Sequence, residues 1–182
     1  PVMIMLSAAG SRQIPRERHI MTANLKEAVI AALAPIAADM AAVEKIIAAE
    51  MESDIPRVKE IGRYITSAGG KRMRPALLIL MASAMGDTSD NAPYFGAVIE
   101  ILHTATLMHD DIVDEGKMRS GRETANARWD NNQAVLVGDF LYTRSFQMMI
   151  RQGNLGVMQA LADAANRLSE GEVLQLTNEG DP

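Results

Sequence analysis

The chain has 182 residues, 48% of them hydrophobic and only 4% aromatic, a balance that suits one domain of packed helices and disfavours a β-sandwich. A net charge of −5 argues against a general nucleic-acid-binding role. Cysteine is absent, which excludes disulfides, thiolate metal sites and thiol nucleophiles and fits a reducing, cytoplasmic setting.

Residues 1–24 show no periodicity and read as a disordered or non-native extension, with Met21-Thr22-Ala23-Asn24 resembling a natural start. The apolar stretch Val2 to Ala9 lacks a preceding basic segment, so it is not taken as a secretory signal. Leu25 to Ser53 carries apolar residues at helical spacing, broken at Pro35. Val58 to Ser67 predicts a short helix, and Pro75 to Met85 a helix apolar nearly all round and therefore central. Gly86 to Asn91 is a turn cluster, and Ala92 to Val113 a helix with an acidic end. Gly116 to Thr124 reads as a polar loop carrying Lys117, Arg119 and Arg122. Gln133 to Arg151 and Leu155 to Leu176 complete the set. No strand series, internal repeat or membrane-length apolar run is present, so the predicted class is all-α.

Two motifs carry chemistry. His109-Asp110-Asp111-Ile112-Val113-Asp114-Glu115 gathers like charge that an ordinary helix end does not need. Asp110 and Asp114, four apart, share a helix face. Their repulsion is offset best by a hard divalent cation such as Mg²⁺, which combines a few carboxylates with water and substrate phosphate. The plain alternative is a solvated acidic helix end. Gly69-Gly70-Lys71-Arg72-Met73-Arg74-Pro75 places three cations beside a helix start, where free N–H groups also favour an anion. That describes a grip for diphosphate; its alternative is a solvated connection between helices.

His103, Thr106, Asp110 and Asp114 fall near one face, and Arg119 and Arg122 follow closely. Two anionic groups fit such a site, one bridged by metal to Asp110 and Asp114, the other against Lys71, Arg74 and His103. The arrangement suits a reaction with a diphosphate leaving group, metal neutralising the departing oxygen and apolar walls keeping water from a carbocation. On its own, His103 also fits a core histidine paired to a carbonyl, and Met108, Met148 and Met149 fit plain packing.

These two motifs, with His103-Thr104-Ala105-Thr106-Leu107-Met108 ahead of the aspartates and Val137-Gly138-Asp139-Phe140-Leu141 after them, resemble the trans-isoprenyl diphosphate synthases, above all the long-chain bacterial enzymes that supply quinone side chains. The resemblance runs from about Leu25 to Pro182. It implies a helical bundle around a deep apolar cavity, homodimeric when complete, with membrane proximity for product release. It implies catalysis through Asp110, Asp111 and Asp114, Mg²⁺ on Asp110 and Asp114, isopentenyl diphosphate on Lys71, Arg74 and His103 with Arg72 in the same basic loop, and the allylic diphosphate on Arg119. The implied product is long and octaprenyl-like. Small Ala105 and Thr106, about one turn before Asp110, leave a growing chain unblocked.

Two departures stand out. Ser120 occupies the place of a second family arginine, which predicts weaker isopentenyl diphosphate binding unless Arg122 turns inward. A second aspartate-rich motif is missing, so the sequence reads as the N-terminal portion of such an enzyme, inactive or nearly so alone. Rival readings are a class I terpene cyclase, which has no use for a second diphosphate grip, and a non-catalytic partner subunit. A di-iron bundle would need a second Glu-x-x-His beside Glu100 and His103.

Overall fold

A computed structural model describes residues 31–67 and 70–178. The proposed extension over residues 1–24, Gly69 and the last four residues lie outside the described residues. The chain divides into two units, Pro1–Ala37 and Ala38–Pro182. In the first, Pro35 sits in a 3-10 turn, Ala34–Ile36, which is the break expected there.

The second unit is helical, as its patterning predicts. Helix α1 (Ala37–Glu50) leads to α2 (Pro56–Ser67), which begins on a proline whose missing N–H costs nothing in a first turn. Helix α3 (Met73–Ala84) starts immediately after Arg72, whose φ of 47° is left-handed. The long α4 (Asn91–Val113) ends in a Schellman arrangement: Glu115 has φ 51°, its N–H donates to Ile112 O at 3.2 Å, and Gly116 N–H donates to Asp111 O at 2.8 Å. The expected polar loop contains a small antiparallel hairpin, β1 (Met118–Arg119) and β2 (Arg122–Glu123). A single-turn helix, α5 (Ala125–Arg128), follows.

Helix α6 (Asn131–Gln152) is capped by Asp130, whose side chain accepts from Gln133 N–H at 2.7 Å. Gly153, at φ 66°, closes its other end. Along α6, Ala134, Val137, Gly138, Leu141, Ser145, Met148 and Met149 are buried, a stripe at three- and four-residue steps that faces the core. Its principal partner is α4, which also packs on α3. Val98, Ile101, Ala105 and Met108 of α4 and Ile79 of α3 are all buried. Gly96 permits the close α3–α4 crossing, since a Cβ there would lie 3.0 Å from Pro75 Cβ. Tyr94 Oη donates to Met148 O at 3.1 Å and ties α4 to α6.

The last helix, α7 (Leu155–Asn178), has no buried residue. It leaves Leu168, Val173, Leu174 and Leu176 exposed. Among the described residues no helix is long and apolar enough to cross a membrane.

Candidate functional site

The end of α2, residues 70–74, one face of α4 and the hairpin enclose a cavity of about 380 Å³. Lys71, Arg72, Arg74, His103, Asp111 and Arg119 all lie on its wall, with Ile65, Met73, Leu107 and Met108 as apolar neighbours. The basic loop and the middle of α4, about thirty residues apart in sequence, thus form one compartment.

The three cations of the loop differ in their partners. Arg72 Nε donates to Glu44 Oε1 at 2.6 Å and Nη1 to Glu100 Oε1 at 3.0 Å, while Nη2 reaches Glu44 Oε2 at 3.2 Å and Thr66 O at 3.1 Å. With side-chain exposures of 12% for Arg72 and 9% for Glu100, this is a largely buried clamp. Lys71 and Arg74 are exposed and form no ion pair among the described residues. Glu100 Oε2 is buried without a partner.

His103 is half-buried on α4. Burial first, then the nearby Arg74 and Arg119, hold its imidazole below the ordinary value of 6.5, with Glu100 pulling the other way. Thr106 donates its hydroxyl to His103 O at 2.9 Å.

The aspartates divide. Asp111 points into the cavity wall, where Arg119 Nε and Nη2 hold its Oδ1 at 2.9 and 2.8 Å. Its carbonyl also accepts from Asn126 Nδ2 at 3.3 Å. Asp111 thereby anchors the segment that carries Arg119. Asp110 and Asp114 lie off this wall, so the cavity is rotated about α4 from the face that the spacing of His103, Thr106, Asp110 and Asp114 predicts. Asp110 is half-buried, and its carboxyl is pushed above the usual range by burial, then by Glu172 of α7 and by Asp114, with Arg119 opposing. Two repelling carboxylates one turn apart suit a divalent cation. Among the described residues no three His, Cys, Asp or Glu side chains converge, so such a cation would complete its shell with water and phosphate, as Mg²⁺ does. Ala105, with no exposed surface, belongs to the packed core and not to this wall.

Behind the aspartates, His109 rests on α6. Its Nε2 lies 3.3 Å from Val135 O and 3.5 Å from Asp139 Oδ1. A Cβ on Gly138 would come within 2.4 Å of that nitrogen, so glycine there is what lets the ring seat.

Sequence reading missed five contributors. Glu44 and Glu100 gave no local signal for their bond to Arg72. Thr124 and Asn126 pin the loop by donating to Gly116 O at 2.8 and 3.1 Å. Tyr64 lines the cavity, with the Arg122 guanidinium 4.3 Å and the Arg128 guanidinium 4.7 Å from its ring centroid. Arg122, which the sequence places in the polar loop, lines the cavity.

The polyprenyl synthetase family profile matches residues 55–182. Octaprenyl diphosphate synthase of Escherichia coli K12 is 49% identical over 146 residues, which are 80% of this chain and 45% of that protein. The all-trans-nonaprenyl-diphosphate synthase (geranyl-diphosphate specific) of Rhodobacter capsulatus is 44% identical over 151 residues, 82% of this chain and 46% of the relative. Among solved structures, a polyprenyl synthase from Caulobacter crescentus CB15, complexed with calcium and isoprenyl diphosphate, superposes with a TM-score of 0.80 at 38% identity, covering 82% of this chain and 46% of that one. A decaprenyl diphosphate synthase from Rhodobacter capsulatus gives 0.77 at 48% identity, covering 80% and 45%. The chain therefore spans about half the length of the curated relatives it matches.

Proposed function

Because the chain belongs to the polyprenyl synthetase family, we propose that it forms part of a prenyltransferase that joins isopentenyl diphosphate to an allylic diphosphate and builds a long, octaprenyl-like trans chain for quinone side chains. The observation that carries this reading is the cavity wall, where Lys71, Arg74 and His103 converge and, among the described residues, no carboxylate pairs with either cation. The names of relatives as octaprenyl and nonaprenyl synthases support the long product.

In this reading Lys71 and Arg74 hold the diphosphate of isopentenyl diphosphate, and His103 donates to it. Asp110 and Asp114 would hold Mg²⁺, which would supply neutralisation of the charge developing on a departing diphosphate. Asp111 positions Arg119 toward that group. Leu107 and Met108 keep the reacting carbons away from water. The allylic C–O bond breaks with its electron pair on the diphosphate, the isopentenyl double bond forms the new C–C bond, and a proton is lost. Of the two small residues expected to set chain length, Thr106 keeps that role, because Ala105 is packed in the core and off the cavity wall. A cytoplasmic homodimer that releases product near a membrane belongs to the same proposal.

A prenyl-transfer assay with labelled isopentenyl diphosphate and an allylic primer tests it, on this chain and on the chain extended to the length of its relatives. The extended protein should make long products, with Lys71→Ala raising KM for isopentenyl diphosphate more than it lowers kcat. Absence of any transfer by the extended protein would sink the proposal. The bare α7 favours a second reading, a non-catalytic subunit that docks on a complete synthase; activity that appears only on mixing with such a synthase would select it.

A further inference from the structure

We propose that Arg122 is a second guanidinium ligand for a diphosphate in the basic cavity, delivered there by the hairpin that also carries Arg119. The proposal rests on reading that cavity as a diphosphate site.

The two strands are joined by Ser120 and Gly121, with φ of 51° and 80°. Positive φ at both central residues is what a two-residue type I′ hairpin demands. The resulting register sets Arg119 directly opposite Arg122. Opposed residues on an antiparallel pair project to the same side, so the ribbon aims two cations one way, and both line the cavity. Like charges in that position destabilise a ribbon unless something offsets them. Asp111 offsets Arg119 at 2.8 Å. Arg122 has no such partner: among the described residues no carboxylate forms an ion pair with it.

Tyr64 holds Arg122 instead, by its ring face. The tyrosine is itself fixed, its hydroxyl donating to Glu123 O at 3.0 Å and its ring meeting Trp129 edge-on at 5.1 Å. A cation–π contact consumes no hydrogen-bond donor, and among the described residues the Arg122 side-chain N–H groups form no hydrogen bond or ion pair. Arg122 is thus a cation held over a ring with uncommitted N–H donors, on the same cavity wall as Lys71 and Arg74, which form no ion pair among the described residues. A diphosphate would relieve the repulsion between the two hairpin arginines and satisfy those donors. Arg122 then supplies the charge that Ser120 lacks, and the weaker isopentenyl diphosphate binding expected from that serine does not follow.

Calorimetric titration of the 182-residue chain with inorganic pyrophosphate, without divalent metal, tests this in the wild type, Arg122→Leu, Arg122→Gln and Lys71→Met, with a thermal melt of each. Arg122→Leu should weaken binding about tenfold, the worth of a charge-assisted hydrogen bond. Arg122→Gln keeps a planar group over Tyr64 while losing the charge, so it should weaken binding equally with little change in melting temperature, and it decides the matter where Arg122→Leu does not fold. If Lys71→Met weakens binding and Arg122→Gln leaves it unchanged, the proposal is overturned while the cavity stays a diphosphate site. If neither changes binding, the cavity reading fails and takes the proposal with it.

Discussion

Arg72 joins three helical segments through one side chain, reaching Glu44 of α1, Glu100 of α4 and the carbonyl of Thr66 near the end of α2. Removing one partner of a buried pair leaves the other charge uncompensated, which costs about 3–5 kcal/mol. Arg72→Ala should therefore lower stability by that order in urea denaturation, and Arg72→Lys should recover little, because an ammonium cannot serve Glu44 with two N–H groups in one plane. A loss no larger than that of an exposed Arg→Ala change would refute the clamp. His103 makes a pH-dependent contribution of known sign. Its folded pKa is depressed by burial and by Arg74, so the unfolded chain binds the proton more readily. Stability should then fall as pH drops below the ordinary histidine value of 6.5. His103→Asn should remove that part of the slope. A diphosphate in the cavity works the other way: it favours the imidazolium, so binding should strengthen on acidification more in wild type than in His103→Asn.

At the level of elements, the crossing of α3 and α4 depends on Gly96. A methyl group there meets Pro75 Cβ at 3.0 Å and Val43 Cγ2 at 3.4 Å, and neither a ring nor a β-branched side chain yields easily. Gly96→Ala should destabilise by about 1–3 kcal/mol, the usual cost of overpacking, measured as a shift in denaturation midpoint. An unchanged midpoint would mean that the crossing opens freely. The α4 and α6 stripes were legible in advance, because burial of one face imposes three- and four-residue spacing on the sequence. The hairpin was not. Two-residue strands carry no alternation, and only Ser120-Gly121 hinted at a turn. The sequence also grouped Lys71, Arg72 and Arg74 together, since nothing local reveals that Glu44 and Glu100 pair with Arg72.

Across the whole molecule, order should be uneven. Helices α4 and α6 bury their faces against each other, whereas α7 buries no residue and leaves Val173 at 65% and Leu174 at 60% exposure. Hydrogen exchange should accordingly be fast along Leu155–Asn178 and slowest in the middle of α4. Equal protection of the two helices would show that α7 is covered in solution. An exposed apolar helix of this length also favours association, so light scattering should rise with concentration and fall when Leu174 and Leu176 are changed to polar residues.

The amino-acid order alone determined the all-α class, the helices and the two charged motifs, because each is written in short-range spacing: apolar residues three and four apart, carboxylates one turn apart, glycines beside a helix start. Tertiary structure decided which charges are available. Rotation of α4 in its packing turned Asp111 into the cavity and left Asp110 and Asp114 beside it, buried Ala105, and brought Glu44 and Glu100 onto Arg72 from 28 residues away in either direction. The partner of a charge and the direction of a side chain about a helix axis depend on what the rest of the chain packs there, and no local pattern encodes that.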